Sequence, residues 1–206
     1  EDFLAHEFYT EEGERYNHSN QEIIEKFQAI TGIQNRRYID PKMLTSDMGF
    51  EAAKKAIEDA AIDKEAIDYI IFAHNFGDVR HGETQTDMLP SLASRVKHQL
   101  AIINPKCICY DMIFGCPGWI EAVIQAKAFI SSGMAKNCLV IGAEALSRVV
   151  DHNDRDSMIF ADGAGACIVS RTEEESAILT HTTATLANEE AYYLYFGKGN
   201  HADSAD

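Results

Sequence analysis

Three short apolar runs, separated by stretches of helical length, constrain this chain more than anything else in it. Ile67 to His74 reads Ile-Asp-Tyr-Ile-Ile-Phe-Ala-His, Lys106 to Phe114 carries Ile108, Tyr110, Met112 and Ile113, and Cys138 to Glu144 carries Leu139, Val140 and Ile141. A strand with one wet face alternates polar and apolar residues, whereas runs this continuous suit strands covered on both faces, the condition of a parallel sheet. The intervening stretches have helical period. Asn20 can cap a helix over 21–30 with Ile23, Ile24, Phe27 and Ile30 on one face and Gly32 ending it. Ser46 or Asp47 can cap a second helix running through 51–60, and Pro90 to Leu100 reads as a third. Trp119, Val123, Ala126, Phe129 and Ile130 recur at helical spacing, with Pro117 suited to the first helical position and Gly133 to the stop. Cys167 to Ser170 and Ala177 to Leu186 read as two further strands. Strands alternating with helices predict an α/β layered fold.

Composition narrows the function classes. The formal net charge is −15, from 33 acidic and 18 basic residues, which disfavours nucleic acid and anionic membrane surfaces as partners. No segment approaches the roughly 18 apolar residues of a membrane span, and the first residues lack a charged-then-apolar signal pattern. The five cysteines are odd in number and lie in or beside apolar runs, which points to reduced thiols in a cytoplasmic compartment. A chain of 206 residues, whether one large domain or two small ones, can build its core without disulfides. It opens at Glu1 and closes in a polar tail after an irregular lead-in over 1–20, so the expectation is a piece of a longer protein, with 171–206 as its closing segment.

One candidate for chemistry stands out. Cys116 sits where the apolar run ending at Phe114 meets the helical pattern after Pro117, where free backbone N–H groups and the helix dipole favour a thiolate. The competing reading is a small buried apolar residue at a tight turn. Other patterns carry less. Cys107 and Cys109 fall on one strand face, with no second pair or histidine cluster to complete a metal site. Asp162-Gly163-Ala164-Gly165-Ala166 lacks the order of a dinucleotide or phosphate loop, so close backbone packing is the expectation. The eight histidines show no ligand or catalytic spacing, and Glu173-Glu174-Glu175 reads as a solvated turn. The polar stretch Asn75 to Thr86 reads as a long surface loop at a strand's carboxyl end, where α/β sheets place ligand crevices.

Taken in order, the segments resemble a known family. Thr31-Gly32-Ile33-Gln34-Asn35-Arg36-Arg37, the alanine-rich helix before Ile67, and Asp111 to Trp119 with its Cys116 are similar to β-ketoacyl-acyl carrier protein synthase III of the thiolase superfamily. So are Val140 to Arg148, Asp154-Arg155 and Phe160 to Ala166, and the likeness runs from about Asn20 to Ser170. The resemblance implies a thiolase-like layered αβαβα fold of two similar halves, this chain covering the first. It implies that Cys116 is acylated by an acyl-coenzyme A and condenses with malonyl-acyl carrier protein, losing carbon dioxide, with no cofactor beyond the coenzyme A thioester substrate. The Cys116 N–H then forms one arm of an oxyanion hole, while the family's histidine, asparagine and second oxyanion arm belong to the other half. Arg155 matches an arginine that contacts the coenzyme A adenine, and Leu89, beside Met88, matches the residue that bounds the partner's acyl pocket across a homodimer. The same resemblance places the strand over 107–113 near that dimer interface.

Several departures point to a specialised relative. Lys26 stands where the family has an adenine-stacking tryptophan, Ile30 where it has an arginine, Ala161 where it has a glycine, and the loop over 75–86 is longer than usual. The acyl donor is therefore expected to differ from free acetyl-coenzyme A, and the acidity opposes encounter with acidic acyl carrier protein. A related acyltransferase of secondary metabolism or of hydroxymethylglutaryl-coenzyme A synthase type, and a non-catalytic partner subunit, are the alternatives.

Overall fold

The computed structural model describes residues 3–174, 178–197 and 199. Among them are α1 (Asn20–Thr31), α2 (Thr45–Ala60), β1 (Tyr69–Ala73), β2 (Asp78–Val79), β3 (Thr86–Asp87), α3 (Leu92–Gln99), β4 (Ile108–Met112), α4 (Gly118–Ser131), β5 (Asn137–Ala145) and β6 (Asp162–Ser170). The chain forms two compact units, one of Tyr38–Val149 with Asp162–His181, the other of Glu1–Arg37, Val150–Ala161 and Thr182–Asp206.

The larger unit is built on a four-stranded sheet of order β4-β1-β5-β6. The central strand β1 runs parallel to both neighbours, with Phe72 opposite Asp111 on one side and Ile141 on the other. Strand geometry sends successive side chains to opposite faces, which explains why the runs read as unbroken. Ile70, Phe72, Leu139 and Ile141 go to one face, where Ala53 of α2 and Leu92, Ala93 and Val96 of α3 cover them. Ile71, Cys138 and Val140 go to the other, where Ala122 and Ala126 of α4 cover them. The result is a helix, sheet, helix layering. Cys107 and Cys109 share the first face as expected, and no group of three His, Cys, Asp or Glu among the described residues could hold a metal ion.

Several local expectations are corrected. Helix α2 begins at Thr45, earlier than the sequence indicated, and neither Ser46 nor Asp47 is its cap residue. Leu44 holds that position, and Asp47 Oδ2 reaches back to accept its N–H at 2.9 Å. Ser46 is buried and donates to Asp78, through N–H at 2.8 Å and Oγ at 2.6 Å. The glycine-rich segment is strand: Gly163, Ala164 and Gly165 pair antiparallel with Glu144, Ala143 and Gly142 of β5. Close packing is not what these glycines serve, since a Cβ at Gly163 or Gly165 would meet nothing within 4 Å. Residues 178–186 form no strand, because no ladder partner faces them; Leu179 and Leu186 are exposed. Ala177 and Glu175 lie outside the described residues; Glu173 and Glu174 are exposed.

In the smaller unit, Ser19 rather than Asn20 caps α1. Its Oγ accepts from the Glu22 N–H while Glu22 Oε2 accepts from the Ser19 N–H, a reciprocal capping box, and Gly32 at φ 71° ends the helix. Asn20 instead donates its Nδ2 to the Leu4 and His6 carbonyls. The lead-in is therefore less irregular than its composition indicates. It has a bridge between Tyr9 and Arg15, and it buries Phe8 against Ile23 and Met158. No helix among the described residues is long and apolar enough to cross a membrane.

Candidate active site

The carboxyl ends of β1, β4 and β5 carry the polar residues that the apolar runs lead into. After β4 the chain turns at Gly115, whose φ of 78° is the left-handed conformation that glycine adopts without strain. The Gly118 N–H donates to the Gly115 carbonyl at 3.0 Å, closing the turn around Cys116 and Pro117. Cys116 is exposed, which sets aside the reading of it as a packed apolar residue. Pro117 is the cap of α4 rather than its first residue, because the closing bond starts the helix at Gly118; Cys116 stands one residue outside the cap. Helix α4 lies close on the sheet. A Cβ at Gly118 would come within 3.2 Å of the Ala73 Cβ, and one at Gly142 within 3.1 Å of Trp119. Gly133, at φ 78°, follows the helix end as expected.

Two acidic side chains tie the strand ends together. Asp111 on β4 accepts the Leu92 N–H at 2.7 Å and the Ala93 N–H at 2.9 Å, satisfying the first turn of α3, which Ser91 also caps. The Nε2 of buried His74 faces the same carboxylate at 3.1 Å, off the line of a well-formed hydrogen bond. His74 Nδ1 accepts from the Gly77 N–H at 3.0 Å, which places the neutral ring's proton on Nε2. Glu144 on β5 accepts from Asn75 through both its backbone N–H, at 2.7 Å, and its Nδ2, at 3.0 Å. Burial pushes the Glu144 carboxyl above its ordinary pKa, opposed by these Asn75 donors. Asn75 Oδ1 accepts the Gly115 N–H at 3.0 Å, so the turn that holds Cys116 is tied to β5 through β1.

The loop after Asn75 is more ordered than its polarity indicates. It forms the short hairpin of β2 and β3, and Arg95 bridges its two ends, 2.7 Å from buried Asp78 and 2.6 Å from Asp87. The Arg95 hydrogen bond holds the Asp87 carboxyl below the usual carboxylate range. Met88 lies against Gly77, and Leu89 is 87% exposed, presenting an aliphatic side chain to solvent. Arg155 belongs to the smaller unit, where its guanidinium lies 4.8 Å over the Tyr16 ring and 3.7 Å from Asp156. Lys26 and Ile30 are exposed on α1.

The comparisons with known proteins bear on this arrangement. A model of 3-oxoacyl-[acyl-carrier-protein] synthase III matches residues 110–186. The chain is 43% identical over 157 residues to β-ketoacyl-[acyl-carrier-protein] synthase III of a Sulfurovum species, covering 75% of this chain and 44% of the relative. The corresponding protein of Caldanaerobacter subterraneus is 40% identical over 150 residues, 72% of this chain and 42% of that one. The chain belongs to the β-ketoacyl-acyl carrier protein synthase III family. It spans about half the length of the curated relatives it matches. Its layered α/β fold also matches solved synthase III structures along about half of their length. For the enzyme from Aquifex aeolicus the TM-score is 0.64 at 38% identity, over 73% of this chain and 46% of that one.

The Asn75, Asp111 and Glu144 contacts went unread in the sequence, although acids closing apolar runs were the available signal, since a buried polar group is the informative exception. Asp111→Ala is expected to lower the unfolding free energy by about 2 kcal/mol, because two helix N–H groups lose their acceptor. Asp111→Asn, which keeps one accepting oxygen, is expected to lose about half as much. Urea unfolding of the two variants checks both values.

Proposed function

We propose that this chain is the amino-terminal half of a condensing enzyme in which Cys116 carries the acyl group. The exposed thiol on a glycine-closed turn at the start of α4, in a chain of this family, carries the reading. The Cys116 thiolate attacks the carbonyl carbon of an acyl thioester, and the carbonyl oxygen becomes an oxyanion facing backbone N–H donors, that of Cys116 among them. Collapse expels the donor's thiolate, which takes up a proton, and leaves an acyl-Cys116 thioester. Malonyl-acyl carrier protein then loses carbon dioxide; the resulting carbanion attacks the acyl carbon, releasing the Cys116 thiolate and a 3-oxoacyl-acyl carrier protein.

Donor and partner follow from the same reading. The donor is an acyl-coenzyme A or a carrier-bound acyl group, Arg155 contacts its nucleotide end, and Leu89 with Met88 bounds the acyl pocket. Exposure of Leu89 fits a side chain that reaches into a second copy, and β4, the edge of the sheet, fits a homodimer interface. The reaction runs in the cytoplasm as a step of fatty acid synthesis. A second reading, a condensing enzyme of secondary metabolism, draws on the likeness to the priming β-ketosynthase of the R1128 polyketide pathway, with a TM-score of 0.64 at 27% identity.

Intact mass spectrometry of the full-length parent protein, incubated with acyl-coenzyme A and acyl-carrier donors, tests the proposal. The expected result is one acyl mass that disappears in Cys116→Ala. An adduct that persists in the variant, or none from any donor, would overturn it. The donor that acylates fastest separates the two readings.

A further inference from the structure

We propose that Asn75 is a positioning residue for Cys116, holding the nucleophile's turn through a chain of contacts from Glu144 to Asn75 to Gly115. The inference rests on Cys116 being the acyl-accepting nucleophile, and it assigns a role to a side chain that the transfer chemistry itself does not use.

The Asn75 amide is held in one direction by its neighbours. Oxygen and nitrogen of an asparagine side chain are told apart by their partners. Here Nδ2 points at the Glu144 carboxylate, 3.0 Å away, and Oδ1 receives the Gly115 N–H at 3.0 Å. A flipped amide would set its oxygen against the carboxylate and its N–H against another N–H, so both neighbours fix one orientation. The Asn75 backbone N–H, 2.7 Å from the same carboxylate oxygen, fixes the residue itself. Glu144 in turn is anchored in the strand pair of β5 and β6, opposite Gly163.

Gly115 is then held from both sides. Its N–H goes to Asn75, and its carbonyl takes the Gly118 N–H at 3.0 Å. The carbonyl belongs to the same planar peptide as the Cys116 N–H, and in a trans peptide the two point in opposite directions. Fixing the Gly115 carbonyl towards the helix start therefore aims the Cys116 N–H away from it. Gly115 is the residue in this turn whose left-handed backbone has no Cβ to restrain it. Without the Asn75 bond the Phe114–Gly115 peptide, which carries the Gly115 N–H, can rotate, and through the unrestrained Gly115 backbone the thiol and the Cys116 N–H move with it. Glu144 acts one step further back, by fixing Asn75.

Displacements of this kind are expensive in rate. A misplacement of about 1 Å can cost about 100-fold, and losing one oxyanion donor about 100- to 1,000-fold. Rapid-quench mass spectrometry of Cys116 acylation in the full-length protein, with the donor varied, reads the effect. Asn75→Ala is expected to lower the rate constant at saturating donor by about 30- to 100-fold, with the donor KM within twofold of the parent. Asn75→Ser keeps a hydroxyl for Glu144 but is too short for Gly115, and is expected to match it; it also serves if the alanine variant does not fold. Glu144→Gln keeps an accepting oxygen for both Asn75 donors and is expected to stay within about threefold, whereas Glu144→Ala is expected to approach Asn75→Ala.

The outcomes separate cleanly. Asn75→Ser acylating at the parental rate overturns the role of Asn75 alone. So does a rate loss matched by a rise in KM, or one accounted for by the fraction of unfolded protein. A parent that forms no acyl-Cys116 with any donor overturns the nucleophile reading and this inference with it.

Discussion

Cys116→Ala in the full-length protein is expected to lower condensation by at least about 10⁴-fold, the scale seen when a covalent nucleophile is removed. The unfolding free energy should stay within about 0.5 kcal/mol of the parent, the usual range for surface substitutions away from special features. The two expectations have one cause. Cys116 is exposed, so the thiol contributes little to packing, and the glycines on either side hold the turn through backbone bonds that alanine leaves in place. Cys116→Ser preserves shape better but supplies a hydroxyl, which needs an adjacent general base to attack a thioester; its rate should remain nearer alanine than cysteine. Steady-state condensation and urea unfolding on the same samples check the pair. Retained condensation in Cys116→Ala would place the chemistry elsewhere, and a large loss of stability would show that the thiol is a packing group.

What was legible in the sequence was what is local. The three apolar runs announced β1, β4 and β5 because both faces of the sheet are covered, so Ile70 and Phe72 face one helical layer and Ile71 the other. The turn at Cys116 was legible for the same reason: Gly115, Pro117 and Gly118 act within four residues. Long-range partners were not. Ser46 has the chemistry of a helix cap, and Asp78, 32 residues away, claims both its donors. The hairpin over 78–87 reads as loop because its order comes from Arg95, not from its own pattern. Gly163 and Gly165 have low strand propensity yet lie in a ladder, where β5 supplies the hydrogen bonds that propensity does not. The residues holding the Cys116 turn follow the same rule. Asn75 lies 40 positions before Gly115 and 69 before Glu144, spacings that only the parallel order of the strands brings together.

Phe72→Ala should be the most damaging single change to stability, at about 4 kcal/mol, the middle of the range for emptying a buried aromatic site. Phe72 is fully buried at the middle of the sheet, in register with Asp111 and Ile141. Its ring occupies the space that a side chain at position 49 would need: a Cβ on Gly49 of α2 would come within 2.3 Å of Phe72 Cε2 and 2.6 Å of Cζ. Gly49→Ala should therefore lose stability by about 1 to 3 kcal/mol through overpacking, although alanine is the better helix former by about 1 kcal/mol. The sign reverses once the ring is gone. In the Phe72→Ala background, Gly49→Ala adds its methyl to a vacated site and keeps its helical advantage, so the double variant should be more stable than Phe72→Ala alone. The coupling should be about 1 to 3 kcal/mol, within the range for residues in contact. A double-mutant cycle by urea unfolding measures it. Additive losses would mean that α2 can retreat from the sheet at no cost. The predicted coupling would mean that helix and strand are locked by ring against glycine, three residues before the asparagine that holds the Cys116 turn.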